Sequence, residues 1–147
     1  MSFRCTISKT GVTLQVLASN IPEEIMPEFV DKLADACLDN TYKRAPWRTG
    51  FLAMSITKAV TGNTAQVGPT ASYAPFVSLG TLPHEIRPRN ARVLAFPGGG
   101  DSGGMIFAAR VQHPGTQPNP YLQLAAEDTR DQAQDIFNGV WMNYMGL

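Results

Sequence analysis

Residues 3–44, FRCTISKTGVTLQVLASNIPEEIMPEFVDKLADACLDNTYKR, change periodicity once, and that change decides the fold class. Residues 3–8 and 12–18 alternate apolar and polar types, with Phe3, Cys5 and Ile7 in the first run and Val12, Leu14 and Val16 in the second. Lys9, Thr10 and Gly11 separate them, so the two runs predict a β-hairpin. Met26, Val30, Leu33, Ala34, Cys37 and Leu38 then recur at helical spacing, and Lys43 and Arg44 stand near the end, where cations suit a helix C-terminus. Asn20 followed by Glu23 reads as a capping pair, and a helix is expected from about Pro22 or Pro27 to about Tyr42. Pro27 favours the later start, because a mid-helix proline removes a hydrogen bond and clashes with the preceding turn.

Outward from that stretch, residues 55–61 and 64–68 alternate as strands about Gly62 and Asn63, a second hairpin. Three further strands are expected at 84–88, 92–97 and 105–111. The last two are separated by Gly98, Gly99, Gly100, Asp101, Ser102, Gly103 and Gly104. This tract lacks the Lys and Ser/Thr of a phosphate-binding loop and opens no amphipathic helix, so it reads as a hairpin tip rather than a nucleotide site. After Asn119 as cap and Pro120 as first position, a second long helix carries Leu122, Ala125, Ala126, Thr129, Ala133, Ile136, Phe137, Val140, Trp141 and Tyr144 along one side. The expected fold is α+β: an antiparallel sheet, a long helix after an N-terminal hairpin, and a second long helix at the C-terminus, both packed on one face.

The 147 residues suit one domain, 1–147. Lys plus Arg and Asp plus Glu number 12 each, so no global field draws the chain to nucleic acid or an anionic membrane. Locally, Lys58, Arg87, Arg89 and Arg92 are opposed only by Glu85 in the middle third, whereas Glu127, Asp128, Asp131 and Asp135 dominate the last third. These seven residues, Arg87, Arg89, Arg92, Glu127, Asp128, Asp131 and Asp135, are candidates for subunit contact, and the arginines also for DNA contact. Trp47 beside Arg48 is a smaller candidate of the same kind. No secretory leader or bilayer-length apolar run is present, so a soluble protein made in the cytosol is expected.

Chemistry is sparse. His84 and His113 are the only histidines and stand in no metal-ligand spacing; neither metal nor cofactor is expected, and His113, before Pro114 and Gly115, reads as a turn-shaping residue. Cys5 and Cys37 read as small buried hydrophobes. The carboxylate pairs Glu23/Glu24 and Glu127/Asp128 fall near predicted helix starts, where the helix dipole accounts for them without acid–base chemistry.

Three segments carry a resemblance. Residues 45–56, with Pro46, Arg48, Thr49, Gly50, Leu52, Ser55 and Ile56, fit P-x-R/K-T-G-x-L-x-x-S-I. Residues 73–81, with Tyr73, Ala74, Phe76, Val77, Gly80 and Thr81, fit Y-A-x-F-V-E-x-G-T, except that Ser78 stands at the acidic position. Residues 113–122, with His113, Pro114, Gly115, Thr116, Pro118, Pro120, Tyr121 and Leu122, fit H-P-G-T-x-P-x-P-F/Y-L. In this order they resemble the neck, tail-completion or minor tail proteins of long-tailed bacteriophages; the N-terminal hairpin lies outside the resemblance. The resemblance implies a non-enzymatic virion subunit, made in the host cytoplasm. It would form a homo-oligomeric ring at the head-to-tail junction, between the connector or adaptor and the tail-terminator or tail-tube proteins, touch genomic DNA only non-specifically in the channel, and need no membrane. Two other readings stay open: a tail-terminator or tail-tube-like ring protein, and a small metal-dependent hydrolase built on His84 and His113.

Overall fold

The computed structural model describes residues 2–8, 11–17, 21–98 and 104–147. Asn20, the turn residues Lys9 and Thr10, and the tip of the glycine tract lie outside them. The N-terminal hairpin forms as β1 (Ser2–Ser8) and β2 (Gly11–Leu17), paired so that Cys5 faces Leu14 and Ile7 faces Val12. A 3-10 turn, Glu23–Ile25, leads into α1 (Met26–Arg44), in which Pro27 occupies the first turn, where a missing N–H costs nothing. The helix runs two residues past the expected Tyr42 and closes with the Ala45 N–H donating to the Thr41 carbonyl at 2.9 Å. A short α2 (Phe51–Met54) precedes β3 (Ile56–Thr61) and β4 (Thr64–Pro69), the second expected hairpin.

β4 pairs with β2, giving one antiparallel sheet of order β1-β2-β4-β3. β2 and β3 therefore run parallel with β4 between them, and α1 is the crossover that joins them. Alternation puts Val12, Leu14, Val16, Ala65 and Val67 on the covered face, all at most 3% exposed. Edge strand β3 directs Lys58 to that same face, opposite Val67, where its ammonium bridges Asp31 at 2.7 Å and Asp35 at 2.5 Å on α1. The bonds to Asp31 and then Asp35 raise the Lys58 pKa above its ordinary value, and an inward-pointing lysine also discourages pairing at the sheet edge.

After β4 the chain forms α3 (Ala74–Leu79), β5 (His84–Ile86), β6 (Leu94–Pro97), β7 (Met105–Ala108), β8 (Val111–His113) and α4 (Tyr121–Met145). α4 lies against α1 in the most extensive contact between any two elements. Both helices bury small residues, Ala34 and Cys37 from α1 and Ala126 and Ala133 from α4, in one core with Phe29, Leu33 and Leu122. Burying a side chain such as Leu33 contributes about 1.5–3 kcal/mol. A polar ladder between the helices is satisfied: Asn40 Nδ2 donates to Thr129 Oγ1 at 3.1 Å and to Gln132 Oε1 at 3.0 Å.

Several boundaries depart from the sequence reading. Pro120 is the residue flanking α4, no side chain caps it, and the helix begins at Tyr121; Asn119 instead donates its N–H to the Val77 carbonyl. That start puts Glu127 and Asp128 in the second turn, beyond the reach of the dipole; Asp128 is held by Arg44. The strand expected over 105–111 is two strands, β7 and β8, because its partner chain carries a seven-residue excursion, 87–93, opposite only residues 109–110. For the same reason β5 stops at Ile86 and β6 starts at Leu94.

Candidate functional site

β5 pairs with β8 and β6 with β7, nested within one another, and an isolated bridge between Thr81 and Thr116 continues the same register outward from β5/β8. Residues 81–98 and 104–116 are thus the two sides of one long antiparallel arm. Its strands contact each other and make no extensive contact with α1, α4 or the four-stranded sheet. Among the described residues no residue between Ala74 and Tyr121 is buried as a whole.

The root of the arm is where the second and third motif segments meet. Thr81 and Thr116 exchange backbone hydrogen bonds at 2.9 and 3.0 Å. Gly80 (φ 72°) and Gly115 (φ 86°) stand on opposite strands of this crossing, both in the left-handed region that favours glycine. A Cβ on Gly115 would run into the Thr81 carbonyl oxygen, and one on Gly80 into that of Thr116. Space and dihedral angle therefore both demand glycine. His113 Nδ1 accepts the Gly115 N–H at 3.0 Å, the turn-shaping part expected of it. The Pro118-containing segment then returns to the body, where Tyr121 and Leu122 enter the core beside Ala74, with Val77 packed against it. Two buried side-chain oxygens in this region lack a partner among the described residues, Thr81 Oγ1 and Tyr121 Oη. Burial, with Tyr73 nearby, pushes the Tyr121 phenol up to about 12.

Beyond the root, β6 and β7 consist of Leu94, Ala95, Phe96 and Pro97 paired with Ala108, Phe107, Ile106 and Met105. An antiparallel ribbon with one wet face shows polar residues at alternate positions. This one has none: Leu94, Phe96, Ile106 and Ala108 make one face, Ala95, Pro97, Met105 and Phe107 the other. Phe107 is 67% exposed, Met105 55% and Ile106 45%. Ile86, Leu94, Ala95, Phe96, Val111 and His113 border an apolar groove of about 370 Å³.

The charged candidates divide. All three arginines belong to the excursion 87–93. Arg87 pairs with Glu85 of its own strand, and Asp128 receives a bidentate contact from Arg44 at 2.9 and 3.0 Å, so these two are already engaged. Arg89, Arg92, Asp131 and Asp135 are exposed, and Glu127 accepts an amide hydrogen bond from Gln123. Among the described residues the arm's strands make no extensive contact with α4, and none of the three arginines pairs with its carboxylates.

The first motif segment lies elsewhere, at the junction of α1 and β3. Gly50 (φ 80°) opens α2 beneath the Trp47 indole, which meets Tyr42 edge-on at 6.0 Å. Leu52 is buried, Pro46 and Ile56 are half-buried, and Ser55 Oγ donates to the Leu52 carbonyl at 2.7 Å. The Ser55 carbonyl accepts the Thr70 N–H at 2.9 Å, tying this junction to the approach to α3. Arg48, Thr49, Tyr73, Phe76, Pro114 and Pro120 are exposed.

His84 and His113, distant in sequence, are paired in register with rings stacked at 5.0 Å. Their Nδ1 atoms are taken by the Leu82 carbonyl and the Gly115 N–H. Among the described residues no three His, Cys, Asp or Glu side chains gather as metal ligands, and no helix is long and apolar enough to cross a membrane. Cys37 is buried and Cys5 half-buried, both as free thiols, and burial pushes Cys37 up to about 11. Comparison with protein-family models, curated proteins and solved structures finds no match to this chain.

Proposed function

We propose that the protein is a non-enzymatic structural subunit of a long-tailed phage virion, which assembles as a ring in the neck or tail end and helps join the DNA-filled head to the tail. One observation carries this reading: a packed body gives out an arm whose distal ribbon is apolar on both faces and, among the described residues, is left without cover. Exposed apolar area of that kind marks an intermolecular surface, and an isolated two-stranded ribbon is at best marginally stable in water. The resemblance supports the same reading, because its second and third segments, Tyr73 to Thr81 and His113 to Leu122, are the residues that root the arm.

The test is complementation of a phage lacking this gene with the double variant Ile106→Ser/Phe107→Ser. Both side chains are exposed, so the subunit should fold normally. Electron microscopy should then show filled heads beside unattached complete tails. Normal numbers of joined particles would overturn the proposal. Joined particles that leak DNA would assign the arm to the channel instead.

A further inference from the structure

α4 has a second stripe. Leu124, Glu127, Asp131, Asp135, Met142 and Met145 recur by three, four, four, seven and three residues, so they line one side of the helix. That side is opposite the one carrying Leu122, Ala126, Thr129, Ala133 and Val140 into the core, and all six residues of the stripe are exposed. Read along the helix, the order is apolar, acidic, apolar.

The arm has the complementary order. Ile86 and Val111 form an apolar stretch near its root, Arg89 and Arg92 follow in the excursion, and Leu94, Phe96 and Ile106 form the second apolar stretch. Along the ribbon Ile86 and Phe96 stand opposite Val111 and Ile106, about 17 Å apart at ~3.3 Å per residue, and Asp131 to Met142 on α4 covers a similar distance at ~1.5 Å per residue. Arg89 and Arg92 make no ion pair within the described chain, and neither do Asp131 and Asp135.

We infer that the arm of one subunit lies along the outer stripe of α4 of a second copy of this chain. Arg89 and Arg92 meet Asp131 and Asp135, and the distal apolar stretch of the arm covers Met142. The inference rests on the ring reading and names its contact. Arm and stripe are different surfaces of one chain, so the contact is head-to-tail, the type that closes into a ring when the rotation permits. The complement of each surface is present in the same neutral chain, which favours a second copy over an unrelated protein.

Three variants test it: Arg89→Glu/Arg92→Glu, Asp131→Arg/Asp135→Arg, and the two combined. Like charges placed opposite one another disfavour binding, so each double variant should weaken self-association roughly tenfold or more, measured by sedimentation across a concentration series. The fourfold variant should recover it. A cysteine pair supplies an independent readout: with Cys5→Ser in place, Ile106→Cys/Met142→Cys should oxidise to a ladder of linked chains that neither single cysteine gives. Self-association indifferent to both reversals, or a fourfold variant as weak as either parent, would overturn the contact, as would absence of the ladder. If rings and joined particles still form with all these variants, the docking fails and the ring reading stands. A wild-type chain that neither self-associates nor joins heads to tails removes both.

Discussion

The body and the arm are both rich in apolar residues and treat them oppositely. In the body, Leu33, Phe29 and Val12 are at most 1% exposed because each sits on an element whose other face is polar, which leaves one way for the element to turn. In the arm, β6 and β7 have no polar face, so no orientation against the body could hide them both. Apolar content alone therefore does not predict burial; a pattern that names one face does. A ribbon that names neither leaves apolar side chains exposed on both faces.

The largest expected effect separates the two regions by substitutions of similar chemistry. Leu33→Ala should cost about 2–5 kcal/mol of stability in urea unfolding, the range for a cavity in a packed core. Phe107→Ala should change it by less than about 0.5 kcal/mol, as an exposed position does. A comparable loss at Phe107 would mean that the arm belongs to the cooperative core.

Next in size is an alkaline effect confined to the body. The Cys37 thiol is pushed up to about 11 by burial, against an ordinary value of 9.0. Its folded state thus holds the proton longer than the unfolded state. The resulting stability is fully present below pH 9 and is lost as pH rises toward 11, a decline of about 2–3 kcal/mol at ~1.36 kcal/mol per pH unit. Cys37→Ala should flatten that part of the pH–stability profile; an unchanged slope would assign it to other groups. Tyr121, up to about 12, should add a later decline above pH 10.

Third comes the joint between the regions. Gly115→Ala sets a Cβ against the Thr81 carbonyl oxygen at a positive φ, a strain on the order of 1–3 kcal/mol. Hydrogen exchange should show lost protection in β5 and β8 with α1 and α4 unaffected. Uniform loss across the chain would mean that root and body fold as one unit. The smallest effect is expected at the Arg44–Asp128 pair on the body surface: Arg44→Ala should shift the urea midpoint only slightly, and less at high salt, whereas a shift like that of Leu33→Ala would make the pair part of the core.

How much of this was legible in the sequence follows the same division. The N-terminal hairpin, α1 and α4 were, because each is long enough to show its period and each has one wet face. The helices Phe51–Met54 and Ala74–Leu79 were not, since four or six residues make too few turns for a period to appear. Within the arm, strands could be expected but their register could not. Nothing between Ala108 and Val111 signals a break; the break comes from the excursion on the opposite strand. The meeting of Gly80 with Thr116 and of Gly115 with Thr81 depends on that register, so the sequence showed both segments and not their crossing. The engagement of Arg87 by Glu85 and of Asp128 by Arg44 is likewise tertiary or cross-turn geometry, which left all seven charged candidates looking alike.

The most direct test of the central claim compares amide hydrogen exchange of β6 and β7 in the dilute subunit and in the assembled particle. Strands with no cover should open readily in the free subunit, far more often than α1, and become protected by orders of magnitude when a neighbouring molecule covers them. The account predicts that change in the arm, with α1 and β2 equally protected in both states. Strands β6 and β7 as protected as α1 in the free subunit, or unprotected in the particle, would contradict it.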